Sequence, residues 1–82
     1  MAGEAVSTHE RAVLGLLLEH HPALLSIDEI VRYVALDPAD FAARDPVHVA
    51  IRALVQAGVA HRLDRFVFAA APAVYFERLG AP

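Results

Sequence analysis

Cysteine is absent from the 82 residues, which removes disulfides, thiolate metal ligands and cysteine nucleophiles together. Lysine, asparagine and tryptophan are missing as well, glutamine and threonine occur once each, and serine occurs twice. Both serines open an S-x-x-E string, a use that assigns them to helix caps and leaves no hydroxyl nucleophile beside a base. No Ser/His/Asp set and no pair of carboxylates has a place either, so the expectation is a protein that is not an enzyme. No apolar run approaches the ~20 residues that span a bilayer. The first residues, Met1-Ala2-Gly3-Glu4, are acidic where a secretory signal is basic. A cytoplasmic protein without membrane contact is therefore expected.

What is present is apolar. Hydrophobic residues make up 57% of the chain, and after the alanines are set aside about 30 larger apolar side chains need burial in a domain that covers only ~60% of its unfolded surface. That surplus points to an interface. The net charge of −3 hides a split: residues 1–43 carry seven acids against Arg11 and Arg32, whereas residues 44–82 carry five arginines against Asp45, Asp64 and Glu77. All positive surplus lies in the second half.

The length fits one domain, 1–82, with no repeat or linker. Ser7-Thr8-His9-Glu10 is a capping box, and Val13, Leu14, Leu17 and Leu18 follow as an apolar stripe until Pro22 forbids continuation. Ala23-Leu24-Leu25 is long enough only for a short strand. Ser26-Ile27-Asp28-Glu29 repeats the box, and Ile27, Ile30, Val31 and Val34 mark one face of a second helix ending near Leu36. The next connection, 37–44, is expected to hold a turn of helix, and Phe41, its one large apolar residue, is expected to plug the core. Asp45-Pro46 predicts the start of a third helix with Val47, Ala50, Ile51 and Leu54 inward and Gly58 as its left-handed cap. Period-two stretches on either side of Leu63-Asp64 then predict a hairpin with Phe66 and Phe68 on one face and positive φ at Asp64. A last helix is expected over 72–79.

The order helix, short strand, helix, helix, hairpin, helix resembles the winged helix-turn-helix family over residues 7–70. The strings S-I-D-E-I-V, V-H-V-A-I-R-A-L-V-Q-A-G-V-A and H-R-L-D-R-F-V-F carry the resemblance. It implies an α+β winged helix: a three-helix core with a short strand, a two-stranded β-hairpin wing and a C-terminal helix. It also implies double-stranded DNA as partner, the third helix in the major groove and the wing beside it. Carried onto this chain, the outward residues are Arg44, Asp45, His48, Val49, Arg52 and Gln56. Arg52 suits guanine, Gln56 suits adenine, and Arg44, Arg62 and Arg65 would neutralise phosphates. The arginine-only, alanine-rich composition looks like that of a GC-rich bacterial genome, and a small bacterial transcription regulator is the resulting expectation. The alternative is a winged-helix interaction module whose acidic first half and apolar third-helix flank meet a partner protein.

Family members commonly pair through terminal helices, so a homodimer through Val74, Tyr75, Phe76 and Leu79 is expected. Leu16, Leu36, Val49 and Val67 are further candidates for surface or interface. The five histidines, His9, His20, His21, His48 and His61, include no pair at i, i+4, and neither metal nor cofactor is expected. His20 and His21 suit the negative end of the first helix.

Overall fold

The computed structural model describes residues 7–35 and 37–80. Over these residues the chain is α+β, with four helices and one three-stranded antiparallel sheet. The elements in order are α1 (Thr8–His20), β1 (Leu25–Ser26), α2 (Ile27–Val34), α3 (Phe41–Gln56), β2 (Ala60–Leu63), β3 (Phe66–Ala69) and α4 (Ala71–Gly80). The sheet order is β1-β3-β2.

Both capping boxes close as their spacing requires. Ser7 Oγ accepts from the Glu10 N–H at 3.0 Å while Glu10 accepts from the Ser7 N–H at 2.9 Å, and Ser26 with Glu29 repeats the exchange at 3.1 and 2.9 Å. Each pair satisfies two backbone donors that a helix start leaves without partners. At the other end of α3, Gly58 adopts φ 80°. Its N–H donates to Val55 O at 3.1 Å and that of Val59 donates to Leu54 O at 3.2 Å, the bond pair of a Schellman cap. That cap turns the chain straight into β2.

One core holds these elements together. Val13 and Leu17 from α1, Ile30 and Val31 from α2, Val47, Ile51 and Leu54 from α3, and Leu25 and Val67 from the sheet are all buried in it. Leu16 is half-buried against the same cluster. Leu36, expected at the end of the second helix, lies outside the described residues, and α2 closes at Val34.

Three expectations need correction. The third helix begins at Phe41 and not at Pro46, because Asp40 caps it by accepting from the Ala42 N–H at 3.0 Å and Ala42-Ala43-Arg44 are strong helix formers. Pro46 thus sits inside the helix, where its missing N–H leaves Ala42 O without the usual bond from four residues on. Phe41, as the first residue of α3, is 78% exposed and plugs nothing. Finally, Val67, a candidate for surface or interface, is fully buried, while Phe66 and Phe68 share one face as expected, and that face is the outer one, with Phe66 exposed and Phe68 half-buried.

The register explains that last reversal. Arg62↔Val67 and Ala60↔Ala69 share the inner face, and His61↔Phe68 and Leu63↔Phe66 share the outer one. The two-residue loop is Asp64-Arg65, one position later than the sequence pattern gave, and Asp64 takes φ 58° as expected.

Glu29 titrates below its ordinary value of 4.5, chiefly because the Ser26 backbone N–H and then its hydroxyl bond to it, with Arg32 and His20 adding attraction. A carboxyl depressed in the fold contributes stability above its unfolded pKa, and that contribution is lost as pH falls through the folded value. Glu29→Gln, which keeps an acceptor but removes the charge, should therefore lower stability at neutral pH toward the value that the wild-type chain has in acid, and so flatten the acid limb of a pH–melting profile near and below 4.5. Ser26→Ala should cost about 1 kcal/mol in urea unfolding at neutral pH.

Candidate nucleic-acid interface

The solvent side of α3 is built by its own periodicity. With Val47, Ala50, Ile51 and Leu54 inward, Phe41, Asp45, Val49, Arg52 and Gln56 are exposed and His48 is half-buried. These positions fall on the outer half of the helix at 100° per residue.

β2 flanks one side of that face. Arg62 lies opposite Val67 and so on the sheet face that looks toward the helices. There Arg52, Gln56 and Arg62 line a shallow groove of about 210 Å³ whose apolar wall is Ile51 and Val55. Arg62 is held by donating from Nε to Asp64 O at 2.9 Å, within the hairpin loop. Three of the residues expected to read DNA are thereby brought together from two elements. Arg65, in the same loop, is exposed, and its carbonyl accepts from the Ile27 N–H at 2.9 Å, which ties the hairpin tip to the start of α2.

The other expected residues are placed differently. Arg44 turns toward α2: its Nη2 is 3.7 Å from the Asp28 carboxylate, and its guanidinium carbon lies 5.8 Å from the centre of the Phe41 ring. Its Nε is buried and has no hydrogen-bond partner among the described residues. An arginine so engaged is withdrawn from the groove at β2. Val49, 54% exposed, lies on the opposite flank of α3, in a groove shared with the start of α1.

On α4, Val74 is half-buried, and Tyr75, Phe76 and Leu79 are exposed. The Tyr75 and Phe76 rings meet edge to face with centroids 5.9 Å apart. With Pro72 the exposed residues are spaced at i, i+3, i+4 and i+7, so the apolar stripe of α4 faces away from the core, which takes only Ala73 fully.

Sequence reasoning missed two partners of this geometry. One is the Arg44–Asp28 pair, whose residues are 16 positions apart in different helices. The other is Asp40, whose signal was available as an acid directly before Phe-Ala-Ala-Arg.

Among the described residues no group of three or more His, Asp or Glu side chains is placed to hold a metal ion. His20 Nδ1 lies 3.0 Å from Leu16 O, one turn back in α1, and His61 leans on Phe68 with ring centres 5.4 Å apart. No helix of the described residues is long and apolar enough to cross a membrane. Comparison with family models, with curated proteins and with solved structures finds no match for the chain.

The Arg44–Asp28 contact is long and its acid is three-quarters exposed, a geometry in which ion pairs contribute little. Asp28→Asn should shift the urea midpoint by an amount equivalent to less than about 0.5 kcal/mol.

Proposed function

We propose that the chain is a winged helix-turn-helix protein that binds double-stranded DNA, with α3 in the major groove and the β2–β3 hairpin as a wing along the backbone, in the role of a small bacterial, cytoplasmic transcription regulator. The observation that carries this reading is the convergence of Arg52, Gln56 and Arg62 at the α3–β2 groove. The β1-β3-β2 sheet order, with the hairpin beside the C-terminal part of α3, supports the winged-helix assignment. Arg52 and Gln56 are one helical turn apart on one exposed face, a spacing that lets both reach base edges, where Arg pairs with guanine and Gln with adenine. Arg62 and Arg65 sit where a flanking backbone would pass, and they supply position and affinity without sequence information. His48 borders the same face and would add a contact to the bases, whereas Val49, on the flank toward α1, lies outside it.

The withdrawal of Arg44 lowers the expected electrostatic yield. With Arg62 and Arg65 as phosphate-neutralising groups and Arg52 on a base edge, the log–log salt slope of binding should not exceed about −1.8 per protomer, from −0.9 per phosphate. Fluorescence anisotropy with a random duplex at two salt concentrations should show salt-sensitive binding of that size, tighter on the chain's own upstream region. Arg52→Ala with Arg62→Ala should abolish it while circular dichroism stays unchanged. Absence of binding near ~50 mM salt, where phosphate attraction is strong, contradicts the reading.

The outward stripe of α4 supports a second element, a two-fold homodimer through Tyr75, Phe76 and Leu79, with Val74 half-buried against the core at its margin. Such a pair would set two α3 helices on successive turns of one duplex. Light scattering at tens of micromolar should give the dimer mass, and Tyr75→Glu with Phe76→Glu should return the monomer; monomer mass for the unaltered chain contradicts it.

A further inference from the structure

The two flanks of α3 are opposite in charge. Toward β2 the groove holds Arg52 and Arg62 and no acid, whereas toward α1 a larger groove of about 450 Å³ holds Glu10 and Asp45, with His9 as its one titratable base and no arginine. The floor of the α1-side groove includes Ala42, Val49 and Ala53, which run along α3 for about 16 Å at 1.5 Å per residue. That length is three helical turns. Val49 is more than half exposed there although it is the largest apolar side chain of the floor. Small residues let another backbone approach closely, and carboxylates at the edge repel phosphate while attracting ammonium and guanidinium groups.

We propose that the α1–α3 groove is a docking site for a basic amphipathic helix of a partner protein, its apolar stripe on Ala42, Val49 and Ala53 and its Lys or Arg residues on Glu10 and Asp45. Charge complementarity selects this occupant: the acidic edge excludes a nucleic acid, and the apolar floor needs a side chain more than a counterion. An apolar helix face laid into an apolar groove is a recurrent recognition mode, with anchors at i, i+3, i+4 and i+7. The site is separate from the DNA face at β2. It holds whether or not that face binds DNA.

The test uses the full chain without DNA and three labelled synthetic peptides of about 15 residues, long enough for a helix to form. The first is a leucine–lysine amphipathic helix, the second carries glutamate in place of lysine, and the third has the first one's composition in scrambled order. The first should bind saturably, and the other two at least about tenfold more weakly. Ala42→Arg with Ala53→Arg should weaken the first peptide by a similar factor. So should Asp45→Arg alone, which alters one exposed side chain and leaves the core intact. Equal binding of the first peptide to all three proteins, equal binding of the scrambled peptide, or no binding of the first peptide overturns the proposal. DNA anisotropy on the unaltered chain is read separately, so failure of one reading is distinguishable from failure of the other.

Discussion

The rest of the structure hangs on a two-residue strand. Leu25 and Ser26 pair with Val67 and Phe66 of β3, Leu25 enters the core, Ser26 caps α2, and the next N–H, that of Ile27, bonds to Arg65 O in the hairpin loop. One segment therefore ends a sheet and starts a helix. Hairpins of two strands are marginal alone, and a third strand with a helix behind it supplies the missing stability. Because the Schellman cap at Gly58 fixes the other end of the hairpin to α3, the angle between Arg62 on β2 and Arg52 on α3 is set by packing and hydrogen bonds at both ends. A binding face made from two elements is as precise as the joint between them.

The charge split along the chain becomes a spatial split around one helix. The acids of the first half reach the α1 side of α3 through Glu10, and the arginines of the second half reach the β2 side through Arg62. A net-negative chain can thus present a positive face, since local arrangement and not total charge decides where an anion is attracted. Asp45 lines the groove on the α1 side of that helix and tempers the attraction from there. The withdrawal of Arg44 toward Asp28 tempers it further and narrows the positive face to the end of α3 nearest β2.

Local rules carried much of this fold in the sequence, and long-range ones did not. The capping boxes at Ser7 and Ser26, the left-handed Gly58 and the positive φ at Asp64 each depend on a few neighbouring residues, so spacing alone revealed them. The start of α3 was missed because Asp-Pro is a strong start signal, yet Asp40 with Ala42-Ala43-Arg44 outweighs the single hydrogen bond lost at Pro46. Phe41 and Val67 were placed on the wrong sides for another reason. Alternation in a strand shows that Phe66 and Phe68 share a face, but which face meets the helices is decided by tertiary packing, and here the space behind the sheet takes valine and alanine. Of the candidate DNA residues, periodicity put Arg52 and Gln56 outward correctly, whereas the turn of Arg44 toward Asp28 depends on a neighbour in another helix.

The most direct measurement is an amide chemical-shift titration of ¹⁵N-labelled protein with a random duplex near ~50 mM salt, where phosphate attraction is strong. If α3 and the hairpin form the DNA face, the largest shifts fall at Arg52, Gln56, Arg62 and Arg65, with α4 and the acidic α1 side nearly unmoved. Shifts confined to α4 or to the α1–α3 groove, or no shifts at all, contradict a DNA-binding role for this face.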